Sequence, residues 1–354
     1  PLDPVLKKRA VDALLKVSCD EPTPAQHYYT KYLIGYGATL RSVSVMADHW
    51  RLHTEVVKYY ESSSIDGKDR QADYTGDFGV SVVGVESWRY EQVPDLAVMP
   101  LVAFSLVPAA NLPTLRGLRL VLDFPTIAAI YLGEIINWND SRIRALNDDA
   151  VCAELPDAEI HVVMDDVESD ANELFTGLLS AKVSAFASAV GVSRHPTFPV
   201  MASNATLRSA TPFDVIRHLT DTTHSFAVWY GYDLGRFFAP GVFPHQRHIN
   251  PVRAAGIKSD EGAIVFADTG TVGAALDEYV ESQSALWRAE AAMLDVSGPE
   301  SWPMTAVANV LYRQSTMQDC FKAAVLANFL RWALTDPLAE RCAKIGAVVP
   351  ASIN

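Results

Sequence analysis

Segments of strand character alternate with segments of helix character along most of the 354 residues, which predicts an α/β protein with largely parallel sheets. Two further observations extend this to two lobes, each around its own sheet, with a cleft between them. The chain is long enough for two domains of ordinary size. Turns of small polar residues also recur at the ends of the strand-like segments. Ligands in such folds lie at strand C-termini and helix N-termini.

The elements read in order as follows. Residues 3–18 (DPVLKKRAVDALLKVS) have the pattern of an amphipathic helix: Asp3 can cap it, Pro4 takes the first helical position, and Leu6, Ala10, Leu14 and Val17 share one face. CDEPTPAQ (19–26) is a breaker-rich linker. After Gly35-Tyr36-Gly37-Ala38-Thr39 comes a helix from about 42 to 57, then a strand running into a Ser/Gly turn (57–68) and a short apolar strand (77–85). PLVAFSLVPAANL (100–112) reads as one or two buried strands. Leu118–Leu122 predicts a strand; Asp123 is then a cap, Pro125 sits just inside the next helix, and Gly133 ends it. HVVM (161–164) is a strand, HSFAVWYGYDL (224–234) is strand-like, and helices at 316–334 and 337–345 close the chain.

Composition excludes several functions. With 49% hydrophobic and 20% charged residues the chain can bury a sizeable core. The net charge of −13 and pI near 5.1 argue against a nucleic-acid partner and against an anionic membrane surface. The most apolar stretch, 96–112, is broken by Pro100 and Pro108 and is too short and strand-like to span a bilayer. The chain opens on PLDPVLKKRA, with no apolar signal region; a first residue of Pro reads as an excised piece, so this says little about compartment. Cys19, Cys152, Cys320 and Cys342 lack CxxC spacing, which leaves two disulfides or four buried thiols. The sequons at Asn139 and Asn204 fit an extracellular glycoprotein.

No catalytic set assembles. His49 and His53 stand four apart, as a metal pair would, but no HExxH accompanies them; solvent-facing histidines are the plainer reading. His245 and His248 lack a third ligand, and Ser62–Ser64 is no nucleophile elbow. Trp229, Tyr230 and Tyr232 read as core or cleft wall. Walker A and dinucleotide motifs are absent. The expectation is a non-enzyme with no metal and no cofactor.

One stretch is unusual. VVMDDVESDANELFT (162–176) runs from a strand into a helix start, a place suited to anions. Yet it carries Asp165, Asp166, Glu168, Asp170 and Glu173, and no Lys or Arg follows until Lys182. The plain reading is a well-capped helix, because acids in a first turn contribute roughly 0.3–1 kcal/mol each. The sharper reading is a site for a cation or a cationic organic ligand.

Several segments resemble the phosphate-binding proteins of bacterial ABC importers, in the type II periplasmic binding protein superfamily. The most specific is LVLDFPTIAAIYLGEIINWNDSRIRALN (119–147), with its W-[ND]-D and terminal L-N. Gly37-Ala38-Thr39, PLVAFSLVPAANLP (100–113), ESWPMTAVANVLYR (300–313), FLRWAL (329–334) and KIGAVVP (344–350) are similar to family elements in the same order. The resemblance implies residues 28–105 plus 303–354 as one lobe and 106–302 as the other, with 1–27 as a helix and linker. It also makes residues 1–18 look like the tail helix of a preceding repeat, so that the parent would be a tandem array.

The resemblance further implies a ligand set, and here the sequence departs from it. Thr39, the N–H of Leu40, and Ser64 match family positions that donate to phosphate. The family aspartate falls on Val82, its arginine on Asp165, and its S-G-T on Ser169-Asp170-Ala171. No arginine lies between 144 and 193 to replace it. Losing a charge-assisted contact of about 1.5–3 kcal/mol, and gaining repulsion of roughly 4 kcal/mol at 4 Å, would weaken phosphate binding by several powers of ten. The expected function is therefore a non-enzymatic extracellular or cell-surface domain with a degenerate or retuned cleft. It would serve a structural or interaction role, with neighbouring repeats or other surface proteins as partners. The alternative is a solute-binding module for phosphate or another small ligand, lined by Thr39, Leu40, Ser64, Ser169 and Asp170.

Overall fold

The computed structural model describes residues 32–50, 55–238, 252–259, 261–282, 293, 295–317, 319–339 and 341–342. The elements begin with β1 (Tyr32–Gly37), α1 (Arg41–Trp50), β2 (Val56–Glu61), α2 (Ser64–Ala72), β3 (Phe78–Ser81), α3 (Ser87–Gln92) and the long β4 (Leu96–Asn111). Next come β5 (Val121–Leu122), α4 (Phe124–Tyr131), α5 (Ser141–Arg144), α6 (Asp149–Glu154), β6 (His161–Asp165), α7 (Asp170–Lys182) and α8 (Ser184–Ala189). They are followed by β7 (Leu207–Ser209), α9 (Pro212–Asp221), β8 (Ser225–Tyr230) and α10 (Gly231–Phe238). The short β9 (Val252–Ala254), β10 (Gly256–Lys258) and β11 (Ile264–Val265) precede α11 (Thr269–Ser282), β12 (Thr305–Arg313) and α12 (Cys320–Thr335). This is the mixed α/β pattern expected from the sequence.

Two compact units divide the chain: Pro1–Phe104 with Leu276–Leu294 and Ala306–Ala347, and Ser105–Ala275 with Asp295–Thr305 and Val348–Asn354. In the first unit the strands lie in the order β2-β1-β3-β12. The β1–β2 and β1–β3 pairs are parallel, and β12 is antiparallel to β3. All nine residues of β12 and all four of β3 are buried, as expected for strands covered on both faces. Gly37 has φ +150°, and a Cβ there would lie 2.1 Å from the Val80 carbonyl oxygen, so only glycine lets β1 end this close to β3. Trp50, Phe78, Phe329 and Trp332 form the aromatic core, with the Trp50 and Phe329 rings 5.7 Å apart.

The second unit orders its strands β4-β8-β6-β7, with β9 paired to β4. β6 is parallel to both β7 and β8, so their C-terminal ends, Asp165, Ser209 and Tyr230, fall on one edge. Asp123 caps α4 by accepting from the Thr126 N–H at 2.7 Å, with Pro125 in the first turn. Trp138 is fully buried and donates to the His224 carbonyl at 2.9 Å. Asn147 clasps β5 by accepting from the Val121 N–H and donating to the Val121 carbonyl.

Several local expectations change. The turn after β2 is helix α2, because Ser63 caps it by accepting from the Asp66 N–H at 3.1 Å. The segment 224–234 is strand only to Tyr230; α10 then starts at Gly231. The strand at 118–122 shrinks to Val121–Leu122. Of the one or two strands expected at 100–112 the structure has one, β4, which holds Pro100 and Pro108 within it. Cys152 and Cys342 are free and Cys320 is disulfide-bonded, so neither two disulfides nor four buried thiols describes the chain. Residues 1–18, the linker at 19–26, Cys19, His53, His245, His248 and KIGAVVP lie outside the described residues. Among the described residues no helix is long and apolar enough to cross a membrane.

Candidate functional site

The edge of the first unit where β1 meets α1 holds the family-like donors. Thr39 is exposed, and its hydroxyl donates to the Ser62 carbonyl at 3.4 Å. The Leu40 side chain is buried while its carbonyl accepts from the Val43 N–H, so this residue starts α1 through its backbone. Ser64 is fully buried, and its hydroxyl oxygen accepts from the Val82 N–H at 3.0 Å. Ser64 thereby ties the first turn of α2 to the chain just past β3. Val82 is itself buried and brings no carboxylate. The nearby acids are Glu61 and Asp66, which accept from the hydroxyls of Ser44 and Ser62. Asp66 also pairs with Arg70 at 3.0 Å.

The corresponding edge of the second unit is the end of β6 and the start of α7. Ser169 caps the helix: its hydroxyl accepts from the Asn172 N–H at 3.1 Å, and its own N–H donates to the Arg194 carbonyl. Asp170 and Ala171 are buried in the first turn. The Arg194 guanidinium reaches Asp170 at 2.7 Å, Glu173 at 2.9 Å and Glu168 at 3.0 Å. Burial acts to lower its pKa, but the bonds to Asp170, Glu173 and Glu168 more than offset that and raise it. An arginine therefore does stand at this helix start, one position beyond the arginine-free stretch counted in the sequence. It arrives from 24 residues after Asp170, a contact no local pattern announces. Asp166 pairs with Arg208 at 3.3 Å and has His195 at 3.8 Å. Four carboxylates thus meet two guanidinium groups, Asp165 lies beside them, and the edge stays acidic.

Asp165 differs from its neighbours. It is 7% exposed, and its Oδ1 has no hydrogen-bond partner. Burial pushes its carboxyl above the usual carboxylate range, and bonding from the Ser169 hydroxyl and the Val167 N–H opposes that shift. Tyr230, at the end of β8, is buried, and its hydroxyl is held well above its ordinary pKa by burial and then by Asp170, Asp233 and Asp165. Its ring stacks on Tyr232 at 5.0 Å, and Trp229 donates to Asp233 at 3.1 Å. Among the described residues no group of three or more His, Cys, Asp or Glu could hold a metal ion. His49 bonds back to the Val45 carbonyl at 2.8 Å. On β7, Ser209 lies 3.1 Å from His218 Nδ1, but Arg217 rather than a carboxylate faces the other ring nitrogen.

No family model matches the chain. Solved structures do. The ancestral soluble variant of the human phosphate binding protein aligns with TM-score 0.61 and 14% identity over 91% of each chain. The phosphate-binding protein from Stenotrophomonas maltophilia aligns with TM-score 0.57 and 16% identity over 91% of this chain and 92% of that one. The fold is that of the phosphate-binding proteins. Sequence carries the likeness further: phosphate-binding protein PstS of Methanocaldococcus jannaschii is 22% identical over 315 residues, 85% of this chain and 77% of the relative. The chain also matches part of longer relatives. It is 34% identical over 356 residues to putative serine/threonine-protein kinase/receptor R818 of Acanthamoeba polyphaga mimivirus, covering all of this chain and 21% of that protein. The match to putative serine/threonine-protein kinase/receptor R826 of the same virus is also 34%, over 358 residues and 20% of its length. The chain thus spans about a fifth of the curated relatives it matches in full.

Proposed function

We propose that the chain is a non-enzymatic recognition domain on a phosphate-binding-protein fold, set in a longer receptor-like surface protein, with its ligand site retuned away from oxyanions. One observation carries this. The guanidinium at the start of α7 is occupied by Asp170, Glu173 and Glu168. An incoming phosphate would have to displace a carboxylate from Arg194 and would then face the displaced charge. At 4 Å and an effective dielectric near 20, each such repulsion is roughly 4 kcal/mol.

The receptor setting rests on the names of the longer relatives and on the share of them that this chain covers. A surface location also fits the bonded Cys320, since disulfides persist in oxidising compartments. In this reading the neighbours are other domains of the same protein, including further repeats, or other surface proteins. Isothermal titration of the chain with phosphate and sulfate tests the site. No binding is expected up to millimolar anion; micromolar phosphate affinity would favour the conventional solute-binding module instead.

A further inference from the structure

We infer that Asp165 anchors a small organic ammonium ion at the strand-end edge of the second unit, which deepens the retuned-site reading above and rests on it. The Asp165 carboxyl closes β6, is more than nine-tenths buried, and leaves Oδ1 without a donor. A buried carboxylate oxygen with no partner carries a desolvation cost that a matching donor would remove. The neighbouring guanidinium groups are committed elsewhere, Arg194 to Glu168, Asp170 and Glu173 and Arg208 to Asp166, while the exposed His195, whose charge also acts on Asp165, stands 3.8 Å from Asp166. None of these groups donates to Asp165 Oδ1, so a donor from outside the cluster can fill that position.

The surroundings narrow the class of ligand. The described residues assemble no metal-binding group. The Tyr230 hydroxyl lies within electrostatic reach of Asp165, Asp170 and Asp233, and its ring stacks on Tyr232 with an interplanar angle of 16°. Carboxylates beside stacked aromatic faces suit a cation that also has some apolar surface. An ammonium group supplies N–H donors and accepts nothing, which is what Asp165 Oδ1 lacks. The surplus of carboxylates over guanidinium groups favours that cation and repels an anion.

The test is titration calorimetry on the 354-residue chain. Methylammonium and putrescine are the amine probes, tetramethylammonium is a cation without N–H, and phosphate is the contrasting anion. Binding of at least one amine at or below about 1 mM is expected. Asp165→Asn should weaken it by about ten- to a hundredfold, the worth of one charge-assisted hydrogen bond. Asp140→Asn, on a remote helix cap, should leave it unchanged. Asparagine is near-isosteric here and relieves a buried charge, so a circular-dichroism melt should show the variant folded. Independently of any variant, tetramethylammonium should bind about tenfold or more weakly than methylammonium. The inference is overturned if no amine binds at about 10 mM, if folded Asp165→Asn keeps full affinity, or if tetramethylammonium binds as well as methylammonium. Silence towards both amines and phosphate would sink this inference alone, whereas micromolar phosphate binding would sink the retuned-site reading beneath it.

Discussion

Replacing Arg194 with methionine removes the charge that organises the start of α7. Its side chain is 19% exposed, and that of Asp170, 2.7 Å away, is 9% exposed, so this pair is largely withdrawn from water. Breaking a buried pair by deleting one partner costs about 3–5 kcal/mol. Glu173 at 30% exposure adds a reduced share, and Glu168 at 65% adds little because solvent screens it. The helix N-terminus offers Asp170 some compensation, on the order of 0.3–1 kcal/mol. The expected net loss is about 2–4 kcal/mol, or a fall in the melting temperature of the second unit of about 5–15 °C. Denaturant titrations of Arg194→Met, Asp170→Asn and the double variant form a cycle, with an expected coupling of about 1–3 kcal/mol. The loss should largely survive 1 M salt, because buried pairs are weakly screened. A loss below about 0.5 kcal/mol, or additivity within the cycle, would show that Arg194 is a surface group and would refute the reasoning.

Other outcomes follow from the same geometry. Because burial raises the Asp165 pKa in the folded state, the folded chain binds that proton more tightly than the unfolded chain. The stability linked to this group is therefore complete below the ordinary aspartate range and is lost as pH rises through the raised value. Asp165→Asn should be more stable than the parent at pH 7 by about 1 kcal/mol, and urea titrations should show the gap closing towards about pH 3.5. Changing Glu168→Gln, Asp170→Asn and Glu173→Gln together should free Arg194 and create phosphate binding detectable by calorimetry, which adding Arg194→Met should abolish. Gly37→Ala should lower stability by about 3 kcal/mol or more in denaturant titrations, since its Cβ would meet the Val80 carbonyl at 2.1 Å with φ at +150°. Gly117→Ala, at φ +100° but with nothing within 4 Å, should cost only about 1 kcal/mol in the same assay.

Local chemistry made much of the architecture legible. Asp123 and Pro125 mark the start of α4 in the sequence because a cap and a first-turn proline act within three residues. The strand β12 was legible only through the resemblance of 300–313 to a family element, and its nine residues are all buried. Errors came where the deciding contact was short but ambiguous. The serines after β2 looked like a turn, yet Ser63 is a helix cap; Gly231 looked like part of a strand, yet it begins a helix. At the candidate site the acids of 165–173 were visible, but their counter-ion was not. Arg194 reaches Asp170 across 24 residues, and the sequence separation carries no periodicity that would announce it. The buried, unpartnered state of Asp165 Oδ1 was equally hidden, because burial at a strand end depends on what the neighbouring strand and helix bring.

Asn172 gives this corner its shape. Its side-chain amide reaches the carbonyl oxygens of Asp165, Val167 and Arg194, at 3.1, 2.9 and 3.2 Å. The loop before α7 and the incoming strand of chain at 194 are thus stapled to one another from inside the helix, by a group that touches no charge in the cluster. The exposed side chains at 167 and 168 can then change while the main chain keeps its course.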